Sequence, residues 1–182
     1  MKNIFSEDAI NIISSSASIE NGIFQYISSD AIDVDFGDVS INNLQIKDVI
    51  NDGIDFSESN AIVTNVYFNN IGDKAISAGE NSNINANHLE IFKSYLGIAS
   101  KDGSILKVRD TTISNVKVPF AAYKKKNEYE KPVLETQNVI YQDYKKLYLK
   151  DESSTINIDG KFQKEISNDV LNKIYDPQYK IF

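Results

Sequence analysis

Asp30-Ala-Ile-Asp-Val34, Asp52-Gly-Ile-Asp-Phe56, Lys74-Ala-Ile-Ser-Ala78 and Leu96-Gly-Ile-Ala-Ser100 are four copies of one pattern, each 22 residues after the last. The Gly/Ala-Ile pair also stands at Ala9-Ile10, and Phe120-Ala121 reads as a sixth copy one residue late. A fixed period of this length marks a solenoid, whose repeats bury their apolar faces only against their neighbours. Two further stripes share the period. One runs Ala17-x-Ile19, Val39-x-Ile41, Ala61-x-Val63, Ile84-x-Ala86, Leu106-x-Val108; the other runs Phe24-x-x-Ile27, Ile46-x-x-Val49, Phe68-x-x-Ile71, Ile91-x-x-Ser94, Ile113-x-x-Val116. Apolar and polar residues mostly alternate within them, the two-residue period of a strand with one buried side. Three short strands per 22 residues make one coil of a parallel β-solenoid.

A polar column supports this. Asn21, Asn43, Asn65, His88, Asp110 and Asn138 recur at coil spacing, with a 28-residue final step. Asn tolerates the left-handed backbone of a sharp corner, and stacked amides bond from coil to coil. His88 therefore reads as a corner residue before it reads as a metal ligand or a catalyst.

These coil patterns resemble the right-handed parallel β-helices of the pectin-lyase-like superfamily over residues 9–160. The run from Asn51 to Lys125 is also similar to β-helix modules of bacterial surface proteins, some of which carry a spore-coat-kinase-like domain. The fold expected is all-β: a right-handed single-stranded parallel β-helix of about six to seven rungs with a short C-terminal helix. Residues 1–8 form a lead-in, 9–160 the helix and 161–182 a capping segment. Right-handedness follows from the resemblance and from the usual hand of parallel crossovers.

A catalytic branch gives a comparison. Polygalacturonases carry Asn-Thr-Asp-Gly, Gly-Asp-Asp, Gly-His-Gly and Arg-Ile-Lys on successive rungs. Asn51-Asp52-Gly53 and Gly72-Asp73-Lys74 fall in similar order, so the resemblance would put Asp52 and Asp73 at two catalytic carboxylates. Lys74 replaces the third, Tyr95-Leu96-Gly97 replaces the histidine rung, and no Arg-Ile-Lys follows. Inverting hydrolysis needs an acid and a base on opposite sides of the bond, so the match reads as shared coil grammar.

The 182 residues suffice for one core, contain no cysteine and hold no apolar run long enough to span a membrane. The start, Met1-Lys-Asn-Ile-Phe-Ser-Glu-Asp8, lacks the apolar stretch of a signal peptide. A net charge of −7 argues against nonspecific nucleic-acid binding. Residues 1–100 hold four lysines against 14 acids, whereas residues 101–182 hold 15 basic against 12 acidic residues. In a solenoid this places the acidic excess at the leading end. One outward column reads Ile13, Asp35, Ser57, Gly79, Lys101, Lys124.

Asp33 and Asp55 point outward on adjacent rungs, roughly 5 Å apart, and repel by about 3 kcal/mol at an effective dielectric near 20. With Asp35 they form a candidate Ca²⁺ site, and no other cofactor is expected. A carboxylate pair at this spacing also suits a retaining glycosidase. The Lys124–Pro132 insertion supplies Lys124, Lys125 and Tyr129, which with the neighbouring Tyr123 and with Lys101 make a candidate carbohydrate-binding set for an anionic sugar. By strand spacing Lys101 and Lys124 lie about 10 Å or more from the acids along the axis.

The segment Ser167–Tyr175 reads as a helix capped by Ser167 or Asn168, stopped by Pro177 and covering the trailing end of the core. The front has no comparable cap. An uncovered coil exposes strand edges, so the chain is expected to be part of a longer protein or to dock its leading end on another chain or domain. The functional expectation is a non-catalytic β-helix module of a bacterial surface or secreted protein, outside the cell, binding a polysaccharide or acting as a scaffold for a partner domain. The alternative is a lyase or hydrolase of an acidic polysaccharide. A trimeric phage-tailspike-like piece is a third reading.

Overall fold

The computed structural model describes residues 1–176. Its strands are β1 (Lys2–Ile4), β2 (Asp8–Ile13), β3 (Ser16–Ile27), β4 (Asp30–Asp35), β5 (Asp38–Val49), β6 (Ile54–Ser57), β7 (Asn60–Gly79), β8 (Asn83–Lys101), β9 (Ile105–Tyr123), β10 (Val133–Tyr144), β11 (Tyr148–Lys150), β12 (Thr155–Ile158) and β13 (Lys161–Phe162), followed by α1 (Val170–Tyr175). All strand pairs are parallel except β12–β13. They wind into a β-solenoid of about 7 coils with three faces. The first face is built from β2, β4, β6, the ends of β7, β8 and β9, and β11. The second carries the starts of β3, β5, β7, β8, β9 and β10, then β12; the third carries β1 and the following stretches of β3, β5, β7, β8, β9 and β10.

Like residues superpose as the period requires. Ile10, Ile32, Ile54, Ile76, Ile98 and Phe120 pair in one unbroken column, and from Ile32 onward none has exposed surface. Burying each such side chain contributes about 1.5–3 kcal/mol. The sixth copy of the repeat is therefore Pro119-Phe120 in step, and not Phe120-Ala121 one residue late. Tyr123 pairs with Lys101, while Ile105 pairs with Val133. All six extra residues of the 28-residue step thus lie between Tyr123 and Val133, and Tyr123, not Lys124, ends the outward column. Spacing alone cannot distinguish an inserted residue from an aromatic one standing in the aliphatic column.

The corners repay their left-handed geometry with side-chain bonds. Asn21, Asn43, Asn65, His88, Asp110 and Asn138 all have φ between 46° and 58°. Asn43 Nδ2 donates to Asn21 Oδ1 at 2.7 Å, Asn65 Nδ2 to Asn42 Oδ1 at 3.0 Å, and Asn138 Nδ2 to Asp110 Oδ1 at 2.6 Å. Two more left-handed columns close the triangle: Asn3, Tyr26, Asp48, Asn70, Lys93, Asn115, Asp143, and then Ser14, Phe36, Glu58, Glu80, Asp102.

The two ends differ. Ile4, Ile10, Ile12, Ala17 and Ile19 on the leading coil are only partly buried, whereas Ile32, Val34, Val39 and Ile41 behind them are buried. Among the described residues, β2 and the start of β3 pair on one side alone. The lead-in is not formless, since Lys2–Ile4 adds β1 to the third face. At the trailing end β13 turns back on β12.

The C-terminal helix departs from expectation. It does not cover the trailing end but packs on the outside of the first face, where Val170, Ile174 and Tyr175 meet Tyr95, Leu96, Ala99, Val118, Ala121, Tyr123 and Leu149. Its N-cap is Asp169, in a left-handed conformation without a side-chain cap bond. Ser167 instead tethers the segment to β11, its amide donating to the Lys150 carbonyl at 2.8 Å. Pro177 lies outside the described residues.

Candidate functional site: a covered charge cluster on the first face

Three carboxylates and two lysines converge on the first face. Lys74 on β7 pairs with Asp73 Oδ2 at 2.7 Å and with Asp52 Oδ1 at 3.4 Å, and all three side chains are buried. The Lys74 amide also donates to Asp52 Oδ1 at 2.9 Å, just as the Asp52 amide donates to Asp30 Oδ1 at 2.7 Å one coil earlier. These aspartates thus stitch coil to coil at the entry to each strand. Burial works against the Lys74 ammonium, but Asp52 and Asp73 outweigh it and raise its pKa. The burial penalty appears on Asp52, whose carboxyl is pushed up despite the opposing pull of Lys74.

Lys101 extends along the axis. Its ammonium reaches Asp55 Oδ1 at 3.5 Å, although the two residues are 46 apart in sequence. Gly79 permits this: a Cβ there would stand 3.2 Å from Lys101 Cε. The separation of about 10 Å expected from strand spacing is therefore closed by the lysine's own length. Burial alone would lower the Lys101 pKa; the Asp55 charge raises it.

Above the lysines lies the C-terminal segment. Lys74 Nζ stands 5.4 Å from the Tyr175 ring centre and Lys125 Nζ 5.1 Å from it. The Tyr175 and Tyr123 hydroxyls bond at 2.7 Å, and Tyr95 donates its hydroxyl to the Lys173 carbonyl. Small outward residues Ser77, Ala99 and Ala121 make room for this cover, and each is fully buried. That run of small or apolar residues at outward positions, with Tyr95 and Val118, was the signal in the sequence for a covered face.

In front of the cluster the acids stand more openly. Asp33 pairs in register with Asp55 and takes the Asn11 amide at 3.2 Å. Partial burial, then the charges of Asp35, Asp55, Asp8 and Asp30, push its pKa up to about 7. Burial raises Asp30 to about 6 against the Asp52 amide that favours its charged form.

Asp33, Asp35 and Asp55, the residues expected to hold calcium, are not gathered into one cluster. Among the described residues no group of three or more His, Cys, Asp or Glu side chains comes close enough to hold a metal ion. Asp55 turns to Lys101, Asp33 takes the Asn11 side-chain amide, and Asp35 stands two residues further along the same face of β4.

The carbohydrate set is likewise rearranged. Tyr123 has no exposed face and Lys101 is 7% exposed, so neither can stack on or pair with a sugar at the surface. Asp102 Oδ1 straps the insertion down by accepting the amides of Lys125 and Lys126 at 2.6 and 2.8 Å. Asp151 Oδ2 takes the Lys124 amide at 2.6 Å. Tyr129 donates to Glu58 Oε1 at 3.1 Å, and Lys126 pairs with Glu80 at 2.7 Å. The loop is folded back over the third corner column, its tyrosine already engaged.

The family model of the right-handed β-helix region matches residues 8–162, most of the chain and the whole span from β2 to β13. The chain belongs to the right-handed β-helix family. No curated protein and no solved structure matches it. Among the described residues no helix of this β-helix chain is long and apolar enough to cross a membrane.

Proposed function

We propose that the chain is a non-catalytic module of a bacterial surface or secreted protein, a rigid rod whose leading end seats a partner domain. One observation carries this reading: the leading coil offers the same aliphatic column as every other coil, yet on its first and second faces nothing among the described residues covers it. Ile10, Ile12, Ala17 and Ile19 are half-buried, and the outer edges of β2 and of the start of β3 keep their backbone groups facing outward. Such an edge templates a further strand. The partner presents a β-edge with neutral or basic flanks, because residues 1–100 hold 14 acids against four lysines. Like charge weighs against a second copy meeting this end head to head.

The first face supports the non-catalytic half of the reading. Asp52, Asp73 and Lys74 satisfy one another beneath Tyr175, so the acid and base that hydrolysis or elimination needs are tied up in ion pairs.

Two measurements test the proposal. Incubation with polygalacturonate or alginate should release neither reducing nor unsaturated products. Turnover abolished by Asp52→Asn would overturn the non-catalytic reading. A copy of residues 24–45 fused directly ahead of Met1 continues the register, because Met1 stands one coil ahead of Phe24 and Phe24 one coil ahead of Ile46; it supplies the missing edge and should raise the melting temperature by several degrees. No rise would show that the leading end does not accept a strand.

A further inference from the structure

A groove at the corner between the third and first faces points to a ligand of its own. In the corner column Asn3, Tyr26, Asp48, Asn70, Lys93, Asn115, Asp143, every residue has φ between 53° and 61°. Asn and Asp adopt this backbone readily; for a bulky aromatic it is an outlier that costs about 1 kcal/mol. Tyr26 does so at 60° with 53% of its surface exposed. Packing within the chain does not compensate an aromatic held there, and strained residues of this kind gather at ligand clamps.

Its surroundings are built rather than incidental. One coil earlier, Phe5 is 86% exposed, and Ser28 fixes the backbone on both sides of it: its amide donates to the Ile4 carbonyl and its hydroxyl to the Ser6 carbonyl, both at 3.0 Å. One coil later, Asp48 accepts from Asn70 Nδ2 at 2.7 Å and from Gln25 Nε2 at 3.3 Å. Each carboxylate oxygen keeps a further lone pair for a hydroxyl donor, and the Asn70 carbonyl adds another acceptor. Ile50 lies exposed between them. Behind it, Gly72 brings two backbones so close that a Cβ would meet the Ile50 carbonyl oxygen at 2.0 Å, so no side chain blocks the groove. The groove encloses about 700 Å³, within the range of small-ligand sites.

We infer that this groove, lined by Phe5, Tyr26, Ser28, Asp48, Ile50 and Asn70, binds an uncharged sugar ring of a polysaccharide. A pyranose has an apolar C–H face for the two aromatic rings and a rim of hydroxyls for the fixed acceptors. Asp48 and the acidic excess of the leading half repel a uronate. A purely apolar peptide would bury the Asp48 carboxylate without replacing its water, at a cost of several kcal/mol. The site lies on the flank of the rod, so it adds a ligand to the scaffold reading and does not depend on it.

Titration calorimetry with uncharged β-linked hexasaccharides of glucose, mannose, xylose and N-acetylglucosamine, against a hexagalacturonate, tests the assignment. At least one uncharged oligosaccharide should bind, and more tightly than the galacturonate. Tyr26→Asn should weaken it at least about tenfold while leaving the melting temperature unchanged or higher, because Asn suits the corner. Asp48→Ala should weaken it too. Failure of every uncharged oligosaccharide to bind overturns the inference, as does preference for the galacturonate or undiminished binding by Tyr26→Asn. Lost binding accompanied by a lower melting temperature gives Tyr26 a packing role and overturns it equally. If Tyr26→Asn alters self-association instead of sugar affinity, the groove is a protein interface.

Discussion

Replacing Asp33 by Asn should stabilise the fold at neutral pH and leave it unchanged in acid. Partial burial and four neighbouring acids, Asp35, Asp55, Asp8 and Asp30, push the Asp33 carboxyl up to about 7 from 3.8. Between about pH 4 and pH 7 the native state holds a proton that the unfolded chain has lost. Stability therefore falls as pH rises across that window and levels off above it. At about 1.4 kcal/mol per pH unit the unscreened cost would slightly exceed 4 kcal/mol; for a half-exposed group solvent screening reduces it to about 1–2 kcal/mol. Asn at this position keeps a partner for the Asn11 amide, now bonded to Asp33 Oδ2 at 3.2 Å, so packing is preserved. For a chain of this length the gain corresponds to a rise of about 2–8 °C. Thermal and urea denaturation of both proteins at about pH 8 and about pH 4 measures it. Equal gains at the two pH values, or a loss at the higher one, would refute the electrostatic account of the acidic stack.

Other outcomes follow from particular contacts. Lys74→Met should cost about 3–5 kcal/mol in urea denaturation, because it strands Asp52 and Asp73 beneath Tyr175. Gly72→Ala should lose about 1–3 kcal/mol or more, since its Cβ would overlap the Ile50 carbonyl and backbone cannot swing aside. Asn43→Val should cost about 1–2 kcal/mol through the left-handed corner, whereas Asn43→Gly should cost less; comparable losses for the two would contradict the corner geometry.

The coil pattern was legible because each 22-residue step repeats the same environment, and the corner asparagines announced their own backbone. Four features escaped for physical reasons. The register near Phe120 was misread because an aromatic ring fills an aliphatic column without any change of spacing. The charge cluster was misread because strand spacing locates Cα atoms, whereas a lysine passing over Gly79 spans two coils. The cover over the first face was the harder part: Tyr123 and Tyr175 lie 52 residues apart and meet only after the chain has wound back along the rod. The exposed strain at Tyr26 became visible only once the corner column was known to be left-handed.

The first and second faces of the leading coil end in an open edge, while the coils behind are paired on both sides. Hydrogen exchange of the isolated chain tests this directly. Amides of β2 and the start of β3 that point away from the second coil should exchange orders of magnitude faster than those of β7 and β8, and fusion of the extra coil should slow them. Leading-edge amides as protected in the isolated chain as those of β7 and β8 would contradict it.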